Sequence, residues 1–325
     1  MFDHIIGQDH IKERLSILIE YAKLENKRLP DLFFAGPGGV GKSTFSRAIP
    51  IGLGWVTDNN PAYAELNATS VKDMGQLISY MHDNIRIPVQ IDVENSKVTI
   101  PRCVVFLDEV QKLKEPLKTE LLNAMDERRK TTFKVHNDTV LEADFSEVTF
   151  IMASTDKNDL SDAFLSRFQI FELIPYTAQE IAAAVSKRTS WDLSASLEIG
   201  KRCKTVMRVA MLEIEAIKAF LRVRNLEPSA DSMVKYYELK KTDDLGLDEI
   251  DYKMLEILND SRSPLGLKAI ATRLRRPEKE VESREGFLAA EGLIDKVSGG
   301  RAISESGRAR LNRKLNTNQI VHTSQ

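Results

Sequence analysis

The chain is poor in the residues that staple or anchor proteins. Two cysteines, Cys103 and Cys203, stand among 325 residues, too far apart in sequence for a metal-ligand motif and too few for a disulfide framework. Both are expected to be reduced thiols of a cytoplasmic protein. No apolar run approaches the ~18 residues needed to cross a bilayer. The opening residues, MFDHIIGQDH, have neither the basic start nor the apolar core of a secretory signal, so a soluble chain is expected. The net charge is only −2, which argues against a protein coated in nucleic acid but does not say where the charges lie. Internal repeats and low-complexity tracts are missing as well.

Length is not lacking. A chain of 325 residues exceeds what one hydrophobic core usually serves, so two or three domains are expected. Charge is also segregated. Residues 243–260 carry seven acids against Lys253, whereas residues 262–314 carry 13 Lys and Arg against 7 Asp and Glu, which sets a basic module apart at the C-terminal end.

Apolar periodicity supplies the elements. Ile11, Leu15, Leu18, Ile19 and Ala22 share one face of a helix from Asp9 to Leu24, with Asp9 as its cap. Residues 31–35, 102–107 and 148–153 are short continuous apolar runs, as strands of a parallel sheet buried on both faces should be. A helix from Lys42 is disturbed at Pro50, and Pro116 opens another that carries Leu117, Leu121 and Met125. Alternating strands and helices predict an α/β fold with a parallel sheet. From Thr177 to Val223 the pattern is purely helical. Beyond the acidic DDLGLDE come three helices and a hairpin around Gly299 and Gly300, the plan of a winged helix-turn-helix.

The first chemistry is in FFAGPGGVGKST, residues 33–44. Gly36, Pro37, Gly38, Gly39, Val40, Gly41, Lys42 and Ser43 satisfy GxxxxGK[ST], with Thr44 following. Glycines let backbone N–H groups turn inward around phosphates at a helix N-terminus, Lys42 neutralises the β and γ charges, and Ser43 offers a hydroxyl to Mg²⁺. A Gly-rich turn without ligand is the alternative, and the placement between a strand and a helix disfavours it. VVFLDEV then ends a buried strand at Asp108, positioned to help hold Mg²⁺, with Glu109 beside it to orient the attacking water. Adjacent carboxylates at a strand end are common surface features, but paired with this loop they point to ATP hydrolysis.

Further segments carry a resemblance. FIMASTDKNDLSDAFLSRFQIFEL is similar to the sensor-1 strand and arginine-finger segment of the AAA+ ATPases, which implies Thr155 as sensor 1 and Arg167 as a finger acting on a neighbour's nucleotide, hence a ring. Without the resemblance, Arg167 is a helix-end cation or a surface ion pair. TVMRVA places Arg208 where a sensor-2 arginine would stand, and locally it is an ordinary exposed arginine. FDHIIGQDHIKERLSILIEYAK, LLNAMDERRKTTFKV, DDLGLDEIDYKMLEIL, PLGLKAIATRL and GFLAAEGLIDKVSGGRAISESGR together resemble the RuvB family, the bacterial motors of Holliday-junction branch migration, over nearly the whole chain.

That resemblance implies an α/β P-loop AAA+ parallel-sheet domain (1–174), a small all-helical lid domain (175–242), a C-terminal winged helix (243–316) and a flexible tail (317–325). It implies ATP and Mg²⁺, six subunits around duplex DNA and a RuvA-like junction-binding partner. Arg275, Arg276, Lys279, Lys296 and Arg301 are the expected DNA contacts, near Arg273 and Arg284. Such cations would touch phosphates and give salt-sensitive, sequence-independent affinity, although a basic helix face can also be merely solvated.

The chain departs from the family in four places. No basic, proline-containing stretch precedes Met1-Phe2-Asp3, so looser adenine binding is expected, with Ile5 and Ile6 as walls. TVMR stands where the family has GTPR. RIPVQIDVENSKVTIP, after Ile85, is an extra hairpin in which Val89, Ile91 and Val93 alternate. The hairpin from Thr131 to Phe145 turns through the polar His136-Asn137-Asp138 where the family grips RuvA with apolar residues. Two other functions fit the same residues: a phage or plasmid AAA+ loader acting on replication DNA, and a nucleotide-gated DNA-binding scaffold. Glu109 and Arg167 speak against the scaffold, which gains nothing from a water-orienting acid and a finger.

Overall fold

Strands made of uninterrupted apolar residues must be covered on both faces, and three such strands form the middle of the main sheet. The computed structural model describes residues 1–57, 60–85, 89–92, 94–134, 139–157 and 160–323, without the side chains of 57, 60, 61 and 315–323. Contacts divide the chain into two compact units, Met1–Glu180 with Val206–Val209, and Ile181–Thr205 with Ala210–Gln325.

The first unit runs α1 (Asp9–Leu24), β1 (Leu32–Ala35), α2 (Lys42–Leu53), β2 (Val56–Thr57), β3 (Asn60–Pro61), β4 (Tyr63–Asn67), α3 (Met74–Asn84), β5 (Gln90–Asp92), β6 (Lys97–Thr99), β7 (Cys103–Asp108), α4 (Glu115–Ala124), β8 (Lys130–Lys134), β9 (Val140–Asp144), β10 (Val148–Ser154), α5 (Asp162–Leu165) and β11 (Gln169–Glu172). The main sheet has the order β11-β1-β10-β7-β4, parallel throughout. Every residue of β1 and β10 is buried, as are all but the last of β7. Ala35 lies opposite Ser154 and Asn67 opposite Asp108. The parallel register therefore brings the C-terminal ends of β1, β4, β7 and β10 to one edge, which is where ligands bind in open α/β sheets.

One expectation changes locally. Asp9 is not the cap of α1: Gln8 occupies that position with φ 56°, and Asp9 pairs with Lys12 at 2.9 Å. The Gln8 carboxamide instead donates to the Ile174 carbonyl at 2.6 Å and accepts from the Ile174 N–H, tying the N-terminal segment to the chain after β11. Pro50 lies within α2. It sits in the last turn, and Gly54, with φ 75°, closes the helix beyond it.

A second sheet has the order β5-β6-β9-β8. The inserted segment is indeed a hairpin, β5 against β6, and β6 joins β9 in parallel to widen the β8–β9 hairpin to four strands. Val89, Val98, Phe133, Leu141 and Ala143 bury one face, while Ile91 stays exposed on the edge strand. Val93 and the tip at 136–138 lie outside the described residues. Arg129 fastens this sheet to the main one. Its guanidinium donates to the buried Asp31 carboxylate and to the Phe145 and Val148 carbonyls, so the charge is paired where it is desolvated.

The second unit is helical up to a small hairpin: α6 (Ala178–Thr189), which the chain enters from the first unit, then α7 (Leu193–Arg202), α8 (Met207–Arg224), α9 (Ala230–Leu239), α10 (Glu249–Asn259), α11 (Leu267–Leu274), α12 (Glu278–Ala290), β12 (Ile294–Val297), β13 (Gly300–Ile303) and α13 (Glu305–Thr323). Helices α10 to α12 and the β12–β13 wing share one apolar core, and Leu311 of α13 belongs to it. The helix α13 carries the backbone on to Thr323, over most of the expected tail. Lys204 bonds the fully buried Asp251 at 2.5 Å, so the segment before α8 is tied to α10 by a desolvated ion pair. Among the described residues no helix is long and apolar enough to cross a membrane. Cys103 and Cys203 are free and buried, and burial pushes both thiols up to about 12, away from the thiolate form.

Candidate nucleotide site and nucleic-acid interface

The loop between β1 and α2 has the conformation its glycines permit. Gly39 and Gly41 adopt φ of 82° and 102°, a region other residues avoid, and a Cβ on Gly39 would come within 2.7 Å of Val206 Cγ1. No side chain caps α2, so the N–H groups of its first turn remain available for an anion. Lys42 is buried and donates to the Gly36 and Pro37 carbonyls at 2.7 and 2.9 Å. Burial lowers its pKa, the Asp108 and Glu109 carboxylates oppose that shift, and Arg208 adds to it. Ser43 is half-buried beside it and Thr44 is exposed.

Asp108 closes β7 half-buried and accepts from the Glu109 N–H at 2.9 Å. Burial raises its pKa, with smaller upward pushes from Glu109 and Glu65, while Lys42 and the N–H bond pull the other way. A carboxylate under this strain fits a cation, which would relieve the desolvation. Glu109 itself is held at φ 60°, a conformation that costs about 1–2 kcal/mol for a non-glycine residue. Its carboxylate meets Lys112 at 2.6 Å and the Gln111 amide at 3.3 Å. Thr155 follows β10 directly, and its hydroxyl accepts from Gln111 at 3.3 Å.

Arg208 is brought to the same edge. The chain re-enters the first unit for Val206–Val209 only, and the Arg208 Cβ stands 3.5 Å from where a Gly39 Cβ would be. Altered turn residues in TVMR thus do not keep its backbone from the phosphate loop. Ile5 is buried and Ile6 half-buried, in a segment whose Phe2 ring lies 5.6 Å from that of Phe45 in α2. Arg167, just past α5, is exposed and pairs with Asp126 at 3.4 Å. Sequence patterns missed three contributors. Tyr176 places its hydroxyl 2.9 Å from a Cβ built on Gly41, Asn67 faces Asp108 in the register, and Gln111 lies among Glu109, Ser154 and Thr155. A polar residue three past Asp108 was the available signal for the last.

The winged helix divides its cations into two groups. Arg273, Arg275, Arg276 and Lys279 are exposed around the α11–α12 turn, with Arg276 3.9 Å from Glu280. Arg301 turns inward instead. Its guanidinium donates to both oxygens of Glu285 at 2.9 and 3.1 Å, and the carboxylate is 1% exposed. Lys296 approaches the same carboxylate at 2.7 Å, and Arg284 is engaged by Asp248 and Asp251. Arg301 and Lys296, both expected as DNA contacts, are thus also the ionic partners of Glu285. An acid buried in α12 needs them as partners, although the Lys296 side chain stays 62% exposed.

Residues 32–176 match the AAA model, the ATPase family associated with various cellular activities, and residues 244–312 match the RuvB C-terminal winged helix domain. The Holliday junction branch migration complex subunit RuvB of Campylobacter curvus is 30% identical over 97% of this chain and 90% of its own. The chain belongs to the RuvB family. The corresponding subunit of Campylobacter lari is 28% identical over 93% of this chain and 87% of its own. The fold of this RuvB-family chain also superposes on the solved Thermotoga maritima RuvB Holliday junction branch migration motor with a TM-score of 0.75 at 24% identity, covering 94% of this chain and 95% of that one. The α/β parallel-sheet AAA domain, the helical region and the winged helix are those of the family.

Proposed function

We propose that this chain is an ATP-driven ring motor that moves duplex DNA and drives branch migration at Holliday junctions. The supporting observation is a phosphate loop facing two carboxylates and a winged helix in one chain, 30% identical across nearly its whole length to a branch migration complex subunit. We take residues 1–174 as the motor domain, 175–242 as its lid, 243–316 as the DNA-binding module and 317–325 as a tail. Lys42 and the α2 N-terminus would hold the triphosphate. Ser43 and Asp108 would hold Mg²⁺, which supplies neutralisation of the transferring phosphoryl group. Glu109 would orient the water, Thr155 and Arg208 would read the γ-phosphate within the subunit, and Arg167 would reach a neighbour's nucleotide. Arg275, Arg276 and Lys279 would contact DNA phosphates. Six subunits around DNA, a RuvA-like junction-binding partner and a cytoplasmic setting belong to the same proposal.

Strand exchange on a synthetic four-way junction tests it: ATP-dependent conversion to duplex products is expected. The four-stranded sheet built on the β8–β9 hairpin favours a second reading, an AAA+ loader that recruits other proteins to replication DNA. A loader would leave the junction unmoved while hydrolysing ATP.

A further inference from the structure

The turn after β7 contains a group that the proposed catalytic roles leave unexplained. Gln111 stands in the 3₁₀ turn Val110–Lys112, and its carboxamide uses all three of its polar vertices. One N–H donates to Glu109 Oε2 and the other to Thr155 Oγ1, both at 3.3 Å, while the carbonyl oxygen accepts from Ser154 Oγ at 2.8 Å. Ser154 is completely buried at the end of β10; its hydroxyl receives the Asp156 N–H at 3.0 Å and has one proton to share between the Gln111 carbonyl and the Asp156 carbonyl at 2.6 Å, so the carbonyl side of the amide is seated against the strand end. The donor side spans the gap between two neighbouring strand ends. On it, Glu109 shares its Oε2 between this amide and the Lys112 ammonium at 2.6 Å.

We propose that Gln111 is a positioning residue that passes the state of Thr155 to the Glu109 carboxylate. This rests on the roles proposed above for Glu109 and Thr155. A threonine hydroxyl that turns toward a phosphate leaves one N–H of the amide without its acceptor. The amide, still anchored at Ser154, then bears on Glu109 alone. The carboxylate is held for water when a nucleotide engages the sensor strand, and is shared with the sensor hydroxyl otherwise. Neither a carboxylate, which offers no donor, nor an aliphatic chain of this size, which offers neither donor nor acceptor, does the same.

The test compares Gln111→Leu, Gln111→Glu, Thr155→Val and the Gln111→Leu/Thr155→Val pair in the full chain with DNA. Melting temperature and binding of a fluorescent ATP analogue serve as controls for folding and affinity. Gln111→Leu is expected to lower kcat on the order of ten- to a hundredfold, as loss of a supporting hydrogen-bond partner does, with KM and analogue affinity within about twofold. Its effect should largely vanish in the Thr155→Val background, because the relay is already broken there. Gln111→Glu, which keeps an acceptor toward Ser154 but loses both donors, should lower kcat about as far as Gln111→Leu does, with analogue affinity unchanged. If Gln111→Leu does not fold, kcat and the melting curve of Gln111→Glu decide. Unchanged kcat in the Gln111 variants, or losses that multiply with Thr155→Val, would each overturn the proposal. Glu109→Gln run alongside separates the two levels. An inactive Glu109→Gln with active Gln111 variants sinks the relay alone, whereas a fully active Glu109→Gln sinks both.

Discussion

Replacing Arg301 by alanine distinguishes a phosphate contact from a structural clamp. The side chain forms both hydrogen bonds of a fork with Glu285, whose carboxylate is 1% exposed. Losing one partner of a buried pair costs about 3–5 kcal/mol when the remaining charge is left alone. Here Lys296 stays 2.7 Å from Glu285 and Arg301 is itself 25% exposed, so a loss of roughly 1–3 kcal/mol is expected after solvent screening. At about 4 °C per kcal/mol for a small domain, the transition of the winged-helix unit should fall by roughly 4–12 °C in a calorimetric scan. The pH dependence gives the sign. Hydrogen bonds from Arg301 and Lys296 outweigh burial and hold the Glu285 carboxyl below its ordinary value of 4.5. Its contribution to stability is therefore complete above that value and disappears as pH falls through the lowered folded value. In Arg301→Ala burial is less opposed, so the loss should begin at higher pH, and wild type and variant should converge once the carboxyl is protonated in both. DNA affinity below the transition should keep its salt slope. A variant that melts with the wild type but whose slope falls by about one unit would refute the clamp and return Arg301 to the phosphates.

Arg167→Ala should bind ATP and fail to hydrolyse it, and mixing it with Glu109→Gln subunits should restore part of the turnover. Mixtures as inactive as their parents would count against action between subunits. Gly39→Val should weaken ATP binding at least tenfold in a fluorescence titration, because its side chain must enter space held by Val206 while the backbone keeps φ 82°; wild-type affinity would contradict the close approach of the 206–209 segment.

Local chemistry was readable from the residues alone. The loop spacing from Gly36 to Ser43, Asp108 at the end of an apolar run, the inserted hairpin and the three helices before the wing each depend on neighbours a few positions away, so periodicity and turn residues report them directly. Cap assignment at Asp9 failed for a reason of the opposite kind. Gln8 is held by Ile174, 166 positions along the chain, and no local pattern contains that partner. The same holds for the cations of the winged helix. Arg273, Arg275, Arg276, Lys279, Lys296 and Arg301 look alike in sequence, but only packing of α12 against the wing buries Glu285 and draws Arg301 inward. Arg208 could be named from its motif, yet its arrival beside Gly39 follows from a four-residue return of the chain to the first unit. Composition and spacing report what a residue can do within its own turn or strand; which partner it meets is settled when distant segments are pressed together and unpaired charges have to find one another out of water.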